Sequence, residues 1–409
     1  MTAGNKFALH PKLKEDSLPL GRLEISRVLL MNDARFPWCL LVPEIDGATE
    51  IHLLDPGDQL MLMRESVVLS KALVEAYRRA NSGEFAEAAE AICPRGVLRR
   101  VLDRARKMGF EPLAGFEYEF FVFEENAHSI REKRYRELKP MAPGFFGYSV
   151  LRNSVHQEFY RALLDTCDVM DFSLEGLHEE TGPGVLEGAI TVDKALAAAD
   201  KAALFKTFTK ILAQRCGFLA TFMAKWSPDW PGQSGHIHIS LKDADGRAVF
   251  HDPKNPHAMS DTMRHFIAGQ QRLMPEFLAM IAPTVNSFTR LIPGFWAPTE
   301  ASWGIDNRTC ALRAIPGGAG SQRVEYRVAA ADGNPYIVLA AALASGLWGV
   351  ENRIEPQDPI SGNAYDQEFP GELQFPGTLW EAAQRLKKSD AARDWFGDAF
   401  VDHFAATRE

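Results

Sequence analysis

The stretch "GFEYEFFVF", residues 115–123, sets Glu117 and Glu119 one residue apart in a run of aromatics and valine. Residues i and i+2 of a strand lie on one face. As a strand, this segment sends Glu117 and Glu119 to one side and Phe116, Tyr118 and Phe120 to the other. Neighbouring carboxylates repel, and burying them is costly unless something positive lies between them. Alone, the stretch also reads as an edge strand with a solvated acidic face. The rest of the chain decides between the two.

The chain has 409 residues, enough for two or three domains and a large core. It is 46% hydrophobic and 24% charged, an ordinary globular composition. A net charge of -9 with no basic stripe argues against a nucleic-acid partner. Cys39, Cys93, Cys167, Cys216 and Cys310 are scattered, with no C-x-x-C. That fits a reducing compartment and argues against a disulfide framework or a zinc-thiolate site. The polar N-terminus lacks a hydrophobic signal core. The most apolar run, "PYIVLAAALASGLWGV" at 335–350, is short for a membrane span and is read as a helix deep in the core. The expectation is a cytoplasmic protein with no membrane partner.

Residues 22–54 read as strands, with turn residues Asn32, Asp33, Pro43 and Gly47. Residues 56–80 read as a helix after Asp55 and Pro56, with Leu60, Met63, Val67, Val74 and Tyr77 at helical spacing. The pattern breaks at 78–96, the expected boundary between a small N-terminal domain (1–93) and a large one (94–409). "RGVLRRVLDRARKMGF" and "HQEFYRALLDTC" are helical, and 193–215 reads as a helix capped by Asp193. "FLATFMAKW" and "GHIHISLKD" read as a hairpin pair of strands. The fold class is α+β.

Five further segments carry chemistry. "LEGLHEETGPGVLEGAI" holds Glu175, His178, Glu179, Glu180 and Glu187 around a Gly-Pro-Gly turn. "GQSGHIHISL" puts His236 and His238 on one strand face, with Ser240 beyond them. "NSFTRLIPGFWAP" carries Arg290. "DNRTCALRAIP" and "QRVEYRVAAADGNPY" add Arg308, Arg313, Arg323 and Arg327 around Glu325. Each alone is a weak signal, since an H-x-H strand is often structural and an R-x-E-x-R strand is often a self-paired surface ladder. Together, carboxylates and histidine suit Mg²⁺ or Mn²⁺. Guanidinium forks suit phosphate and carboxylate. A divalent-cation site lined with arginines points to phosphoryl transfer. No P-loop or kinase motif is present.

The order "GFEYEFFVF", "HEETGPGVLE", "SGHIHISL", "NSFTRLIPG", "NRTCALRAIP", "RVEYR" and "DGNPYIVLAAALASGL" resembles the catalytic domain of the glutamine synthetase superfamily, from about residue 94 to near 370. That resemblance implies an antiparallel sheet with flanking helices, preceded by a small β-grasp domain, in a homo-oligomer of stacked rings. It implies an ATP-dependent ligase that phosphorylates the γ-carboxylate of glutamate and lets an amine or ammonia displace the phosphate. By the same resemblance, Glu119, Glu180 and Glu187 correspond to ligands of one Mg²⁺ or Mn²⁺, and Glu117, His236 and Glu325 to ligands of a second. Gly232 and Arg290 correspond to glutamate-binding positions, with Arg327 near the γ-carboxylate. Arg308, Arg313 and Arg323 correspond to groups on the phosphates and the transferring phosphoryl. Glu175, His238 and Ser240 correspond to nucleotide contacts.

Three departures stand out. Trp296 occupies the place of a glutamate that helps form the family's ammonium site. Indole cannot serve as that anion, and it favours an apolar amine or a cation stacked on the ring. Val185 stands where glutamine is usual. No β-grasp sequence is evident before residue 94. Residues 7–80 instead resemble the first half of a histidine-triad domain without its histidine stretch, and are read as a structural or assembly module. The competing reading is a nucleotide- and metal-binding scaffold that has lost turnover.

Overall fold

The computed structural model describes residues 7–31, 39–46, 51, 54–80, 90–145 and 147–409. The chain divides into two compact units, Met1–Ala89 and Glu90–Glu409. In the first, α1 (Pro11–Asp16) leads into an antiparallel sheet of β1 (Ser17–Arg22), β2 (Ser26–Met31) and β3 (Cys39–Pro43), followed by α2 (Pro56–Ala80). Central β2 buries Val28 and Leu29. The expected apolar stripe on α2 is only partly realised. Val67 is exposed, whereas Gln59 and Glu65 face inward, and Glu65 accepts the Ile25 N–H at 2.7 Å. Asn32, Asp33, Gly47 and the side chains of Val74 and Tyr77 lie outside the described residues.

The second unit begins with α3 (Pro94–Lys107) and β4 (Phe110–Phe123). After α4 (Gln157–Val169) come β5 (Leu174–Glu179), β6 (Val185–Ile190), the short β7 (Asp193–Lys194) and α5 (Ala195–Arg215). Next follow β8 (Leu219–Thr221), β9 (Gly235–Asp243), α6 (Asp261–Ile281) and α7 (Val285–Arg290). The last strands are β10 (Trp303–Ile305), β11 (Leu312–Ile315) and β12 (Arg323–Tyr326), then α8 (Pro335–Asn352) and three short helices between Leu379 and Ala406. The sheet runs β10-β11-β12-β9-β4-β6-β5, and all these pairs are antiparallel except β10 with β11.

β4 is long enough to share both edges. One edge takes β9 along Phe110–Tyr118 and then β8 at 121–123. The other takes β7 at 113–114 and then β6 at 117–121. β8 therefore pairs with β4 and not with β9, contrary to the hairpin expectation. Asp193 also does not cap α5. It pairs in β7, and its carboxylate holds Lys201 Nζ at 2.6 Å.

The inward face of β4 shows why the sheet carries aromatics there. Tyr118 and Phe120 pack with Phe205 of α5 and with Phe222, and Phe116 stacks on Tyr118, ring centroids 5.2–6.4 Å apart. Gly188 and Gly235 flank Tyr118 across the two ladders. A Cβ on Gly188 would lie 2.6 Å from the Phe205 ring, and one on Gly235 would lie 2.8 Å from the Tyr118 ring. Helix α8 is buried on nearly every side and meets α6 backbone to backbone, where a Cβ on Gly269 would lie 2.6 Å from Gly349 Cα. No helix among the described residues is long and apolar enough to cross a membrane.

Candidate active site

Strand register brings the chemistry-bearing side chains onto the face of the sheet opposite the aromatics. Glu119 of β4 stands opposite Glu187 of β6, which stands opposite His178 of β5. Glu117 stands opposite His236 of β9. His238 stands opposite Glu325 of β12, which stands opposite Arg313 of β11. Cross-strand partners share a face, so alternation and register together assemble the cluster.

Two groups of ligand-type atoms result. Ligand atoms of Glu117, His236 and Glu325 lie within 4.8 Å of one another, as do those of His178, Glu180 and Glu187. His236 Nδ1 is 3.5 Å from Glu325 and 3.7 Å from Glu117. His178 Nε2 is 3.3 Å from Glu180 and 3.6 Å from Glu187. Glu119, expected beside Glu180 and Glu187, keeps its place in the row. One of its oxygens, however, accepts from Ser234 N at 2.5 Å and Ser234 Oγ at 2.7 Å, and His178 completes the group of three.

The electrostatics suit a bound cation. Burial and the neighbouring carboxylates of Glu119, Glu117, Glu180 and Glu325 push the Glu187 carboxyl up to about 9. Burial also opposes ionisation of Glu117, but the nearby imidazoles of His236 and His238 hold its carboxyl far below the usual range. For Glu325, burial is outweighed by His236, Arg327 and His238, which hold it at about 2. Carboxylate oxygens and imidazole nitrogens, with no thiolate, suit two divalent cations such as Mg²⁺ or Mn²⁺.

A protonated carboxyl must ionise to bind a metal. Glu187 has a raised folded pKa, so it keeps its proton in the folded chain at neutral pH, and its contribution to stability, full below 4.5, is lost as pH rises toward about 9. Mn²⁺ binding at pH 7.5 is therefore expected to release about one proton. Calorimetric heats should then vary with the buffer's ionisation enthalpy. Equal heats in all buffers would show Glu187 already ionised.

Arginines ring the cluster. Arg290 ends α7 and is 2% exposed. It donates to Val328 O at 2.9 Å and Arg327 O at 3.2 Å, and burial lowers its pKa to about 10. Gly232 lies against it, where a Cβ would come 2.5 Å from Arg290 Cγ. The α7 cap is built by Thr284 and Ser287, both hydrogen-bonded to Asp332. Lys206 of α5 holds the carbonyls on either side of Asp332, Ala331 O at 2.6 Å and Gly333 O at 2.8 Å. Arg327 pairs with Glu325 and donates to Arg308 O at 3.2 Å. Arg323 Nε donates to His238 Nδ1 at 3.0 Å, which leaves the ring proton of neutral His238 on Nε2. That nitrogen lies 3.0 Å from Glu117 Oε1, close but poorly aligned for a hydrogen bond.

The remaining expected residues belong to neither group of three. Ser240 is half-buried opposite Leu113 of β4. Glu175 is exposed at a bulge in the outermost strand, β5. Arg308 is exposed. Trp296 is 60% exposed in the turn after α7, with φ +57°, and Lys225 Nζ sits 4.5 Å from the neighbouring Phe295 ring. Val185 has an apolar role, packing with Phe121 and Phe123.

Sequence reasoning missed Ser234, Tyr148, Asp332 and Asp306. Tyr148 stacks on His178 with centroids 5.0 Å apart, and its hydroxyl donates to Glu180. Only the φ of +63° at Tyr148, after Gly147, hints at a constrained position, and φ is invisible in sequence.

The family model described as "Glutamine synthetase, catalytic domain" matches residues 91–409. A "Type-1 glutamine synthetase 2" from Dictyostelium discoideum is 46% identical over 78% of this chain and 61% of its own length. A "Glutamate--isopropylamine ligase" from a Pseudomonas species is 40% identical over 77% of this chain and 68% of its own. The chain thus spans about two thirds of the length of these relatives. A solved structure described as "GmaS/ADP complex-Conformation 1" superposes with a TM-score of 0.70 at 27% identity, covering 78% of this chain and 73% of that one. With matched sequence over residues 91–409 and a shared fold, this chain belongs to the glutamine synthetase family.

Proposed function

We propose that the chain is an ATP-dependent ligase that joins the γ-carboxyl of glutamate to an amine nitrogen. The observation that carries this reading is the pair of three-residue carboxylate–histidine groups on one sheet face, edged by Arg290, Arg313, Arg323 and Arg327. The family's sequence pattern and the names of the relatives, a glutamate–isopropylamine ligase among them, support it.

Glu117, His236 and Glu325, and Glu180 and Glu187 with His178 or Glu119, would hold divalent cations, which would supply charge neutralisation for the nucleotide phosphates. A glutamate α-carboxylate bound by Arg290 beside Gly232 directs the γ-carboxylate toward Arg327. An oxygen of that γ-carboxylate attacks the terminal phosphorus of ATP, and the bond to the ADP oxygen breaks. Arg313 and Arg308 stabilise charge spreading over the transferring phosphoryl group. The resulting acyl phosphate has a good leaving group where the carboxylate had none. The amine nitrogen then attacks the carbonyl carbon, phosphate departs, and the nitrogen gives up a proton. Glu175, His238, Ser240 and Arg323 make up the nucleotide side of this reading.

The amine is read as organic. Trp296 offers no carboxylate to hold ammonium, whereas an alkyl or aryl amine brings binding energy of its own. Burying some 60 Å² of carbon skeleton at about 25 cal/mol per Å² is worth roughly tenfold in kcat/KM over ammonia. Phosphate release from ATP and glutamate across a panel of amines tests this, and Trp296→Glu should move the ratio toward ammonia. Efficient glutamine formation with indifference to every organic amine would sink the organic-amine reading. Metal and nucleotide binding without turnover on any amine would leave the scaffold alternative standing.

A further inference from the structure

We propose that Asp306 is a placeholder for phosphate on Arg313, a displaceable anion that occupies the guanidinium until a phosphoryl group arrives. The inference rests on the ligase reading above and concerns one arginine of that site. Arg313 projects from β11 between two carboxylates. Its Nη1 donates to Glu325 at 2.9 Å. Its Nε donates to Asp306 Oδ1 at 2.9 Å, and Nη2 donates to the same oxygen. The Nε/Nη2 edge is one of the two-pronged faces with which a guanidinium grips an oxyanion, so Asp306 stands where a phosphate would bind.

The two carboxylates differ in freedom. The Glu325 side chain is 2% exposed and also tied to Arg327, with His236 3.5 Å away. The Asp306 side chain is 64% exposed. Its backbone is fixed, with N–H donating to Ala314 O at 2.9 Å and φ at +49°, a conformation that aspartate and asparagine adopt more readily than other side-chain-bearing residues. The side chain can swing into water while the turn stays in place. Arg313, only 16% exposed, has nowhere comparable to go.

Charge gives the contact a direction. With two carboxylates in contact, Arg313 has no spare positive charge for a phosphate. Arrival of the phosphoryl group displaces Asp306. Its return after transfer competes with product phosphate for the same edge. Asp306 therefore weakens binding of ground-state and product phosphates. A residue that merely oriented Arg313 would do the opposite, since its loss would weaken phosphate binding.

The sign of one measurement separates the two. In the full chain, Asp306→Asn keeps the side-chain shape and the tolerance for positive φ. Calorimetric titration with MgADP, and separately with inorganic phosphate, is expected to show binding tightened by about fivefold, the scale of a largely exposed ion pair. The gain should shrink as salt is raised. It should also vanish in the double variant Asp306→Asn/Arg313→Lys, because lysine lacks the two-pronged edge. Unchanged or weaker binding of both probes in Asp306→Asn overturns the proposal alone. Failure of the unaltered chain to bind either probe overturns the ligase reading and this inference together.

Discussion

Replacing Glu325 by glutamine is expected to lower ligase kcat/KM by about a thousandfold or more, on the several kcal/mol that bound metals contribute to phosphoryl transfer. Glu325 is 2% exposed and pairs with both Arg313 and Arg327, with His236 3.5 Å away. Glutamine preserves shape and one acceptor oxygen but removes the charge. Two arginines then face each other across a neutral amide, and the second group of metal-ligating atoms loses an anion. Removing one partner of a buried pair typically costs about 3–5 kcal/mol of stability, so melting temperature should fall with activity. The native carboxylate is held at about 2, below its ordinary 4.5. Its stabilising charge is present above 4.5 and lost only as pH falls toward 2, so mild acid will not mimic the substitution. Metal titration, melting and turnover on the same preparation check this. Wild-type metal affinity and rate in the variant would remove Glu325 from the site.

Arg313→Lys is expected to reduce kcat by about 10²–10³, the range seen when one preorganised donor to a developing anion is lost. Lysine keeps the positive charge but cannot reach Asp306 and Glu325 with fixed, coplanar donors as Arg313 does. KM for glutamate should change much less, because α-carboxylate binding is assigned to Arg290. Steady-state kinetics with glutamate varied at saturating ATP measure both parameters. A change confined to KM would make Arg313 a substrate-binding residue.

How much of this was written legibly in the sequence depends on the kind of signal. The division of β4 into an aromatic and an acidic face follows from a period of two, so Glu117 and Glu119 were placed from spacing alone. The same holds for His236 and His238 on β9. Helix α8 was legible because its residues are apolar on every side. The pairing of β8 with β4 was not, since short strands carry no record of which neighbour leaves an edge open. Nor was the inward face of α2, where Glu65 is buried because it accepts a backbone N–H from the loop before β2. At the site, residue types predicted the ligands but not their hydrogen bonds. Ser234 takes one oxygen of Glu119 because this residue, bridged to Ala330 just before β9, presents its N–H and hydroxyl together. Asp306 and Asp332 carried no signal in the sequence, yet one contacts Arg313 directly and the other supports the cap of α7, the helix that ends in Arg290.

The division of the sheet into two faces also bears on how the protein reaches its native state. Every strand that supplies a ligand to one face supplies apolar residues to the other: Ile237 and Ile239 alternate with His236 and His238, and Val324 and Tyr326 flank Glu325. A slip of one residue between β9 and β4 would turn imidazoles into the aromatic core and isoleucines toward the carboxylates. Such a slip would dismantle the Glu117, His236 and Glu325 group, even with the pairing of β4, β6 and β5 intact. An ion that binds only the correct register lowers the free energy of that arrangement alone, by RT ln(1 + [L]/Kd). Added during refolding, such an ion would act as a proofreader of strand alignment, rejecting shifted sheets before the chain ever meets a substrate.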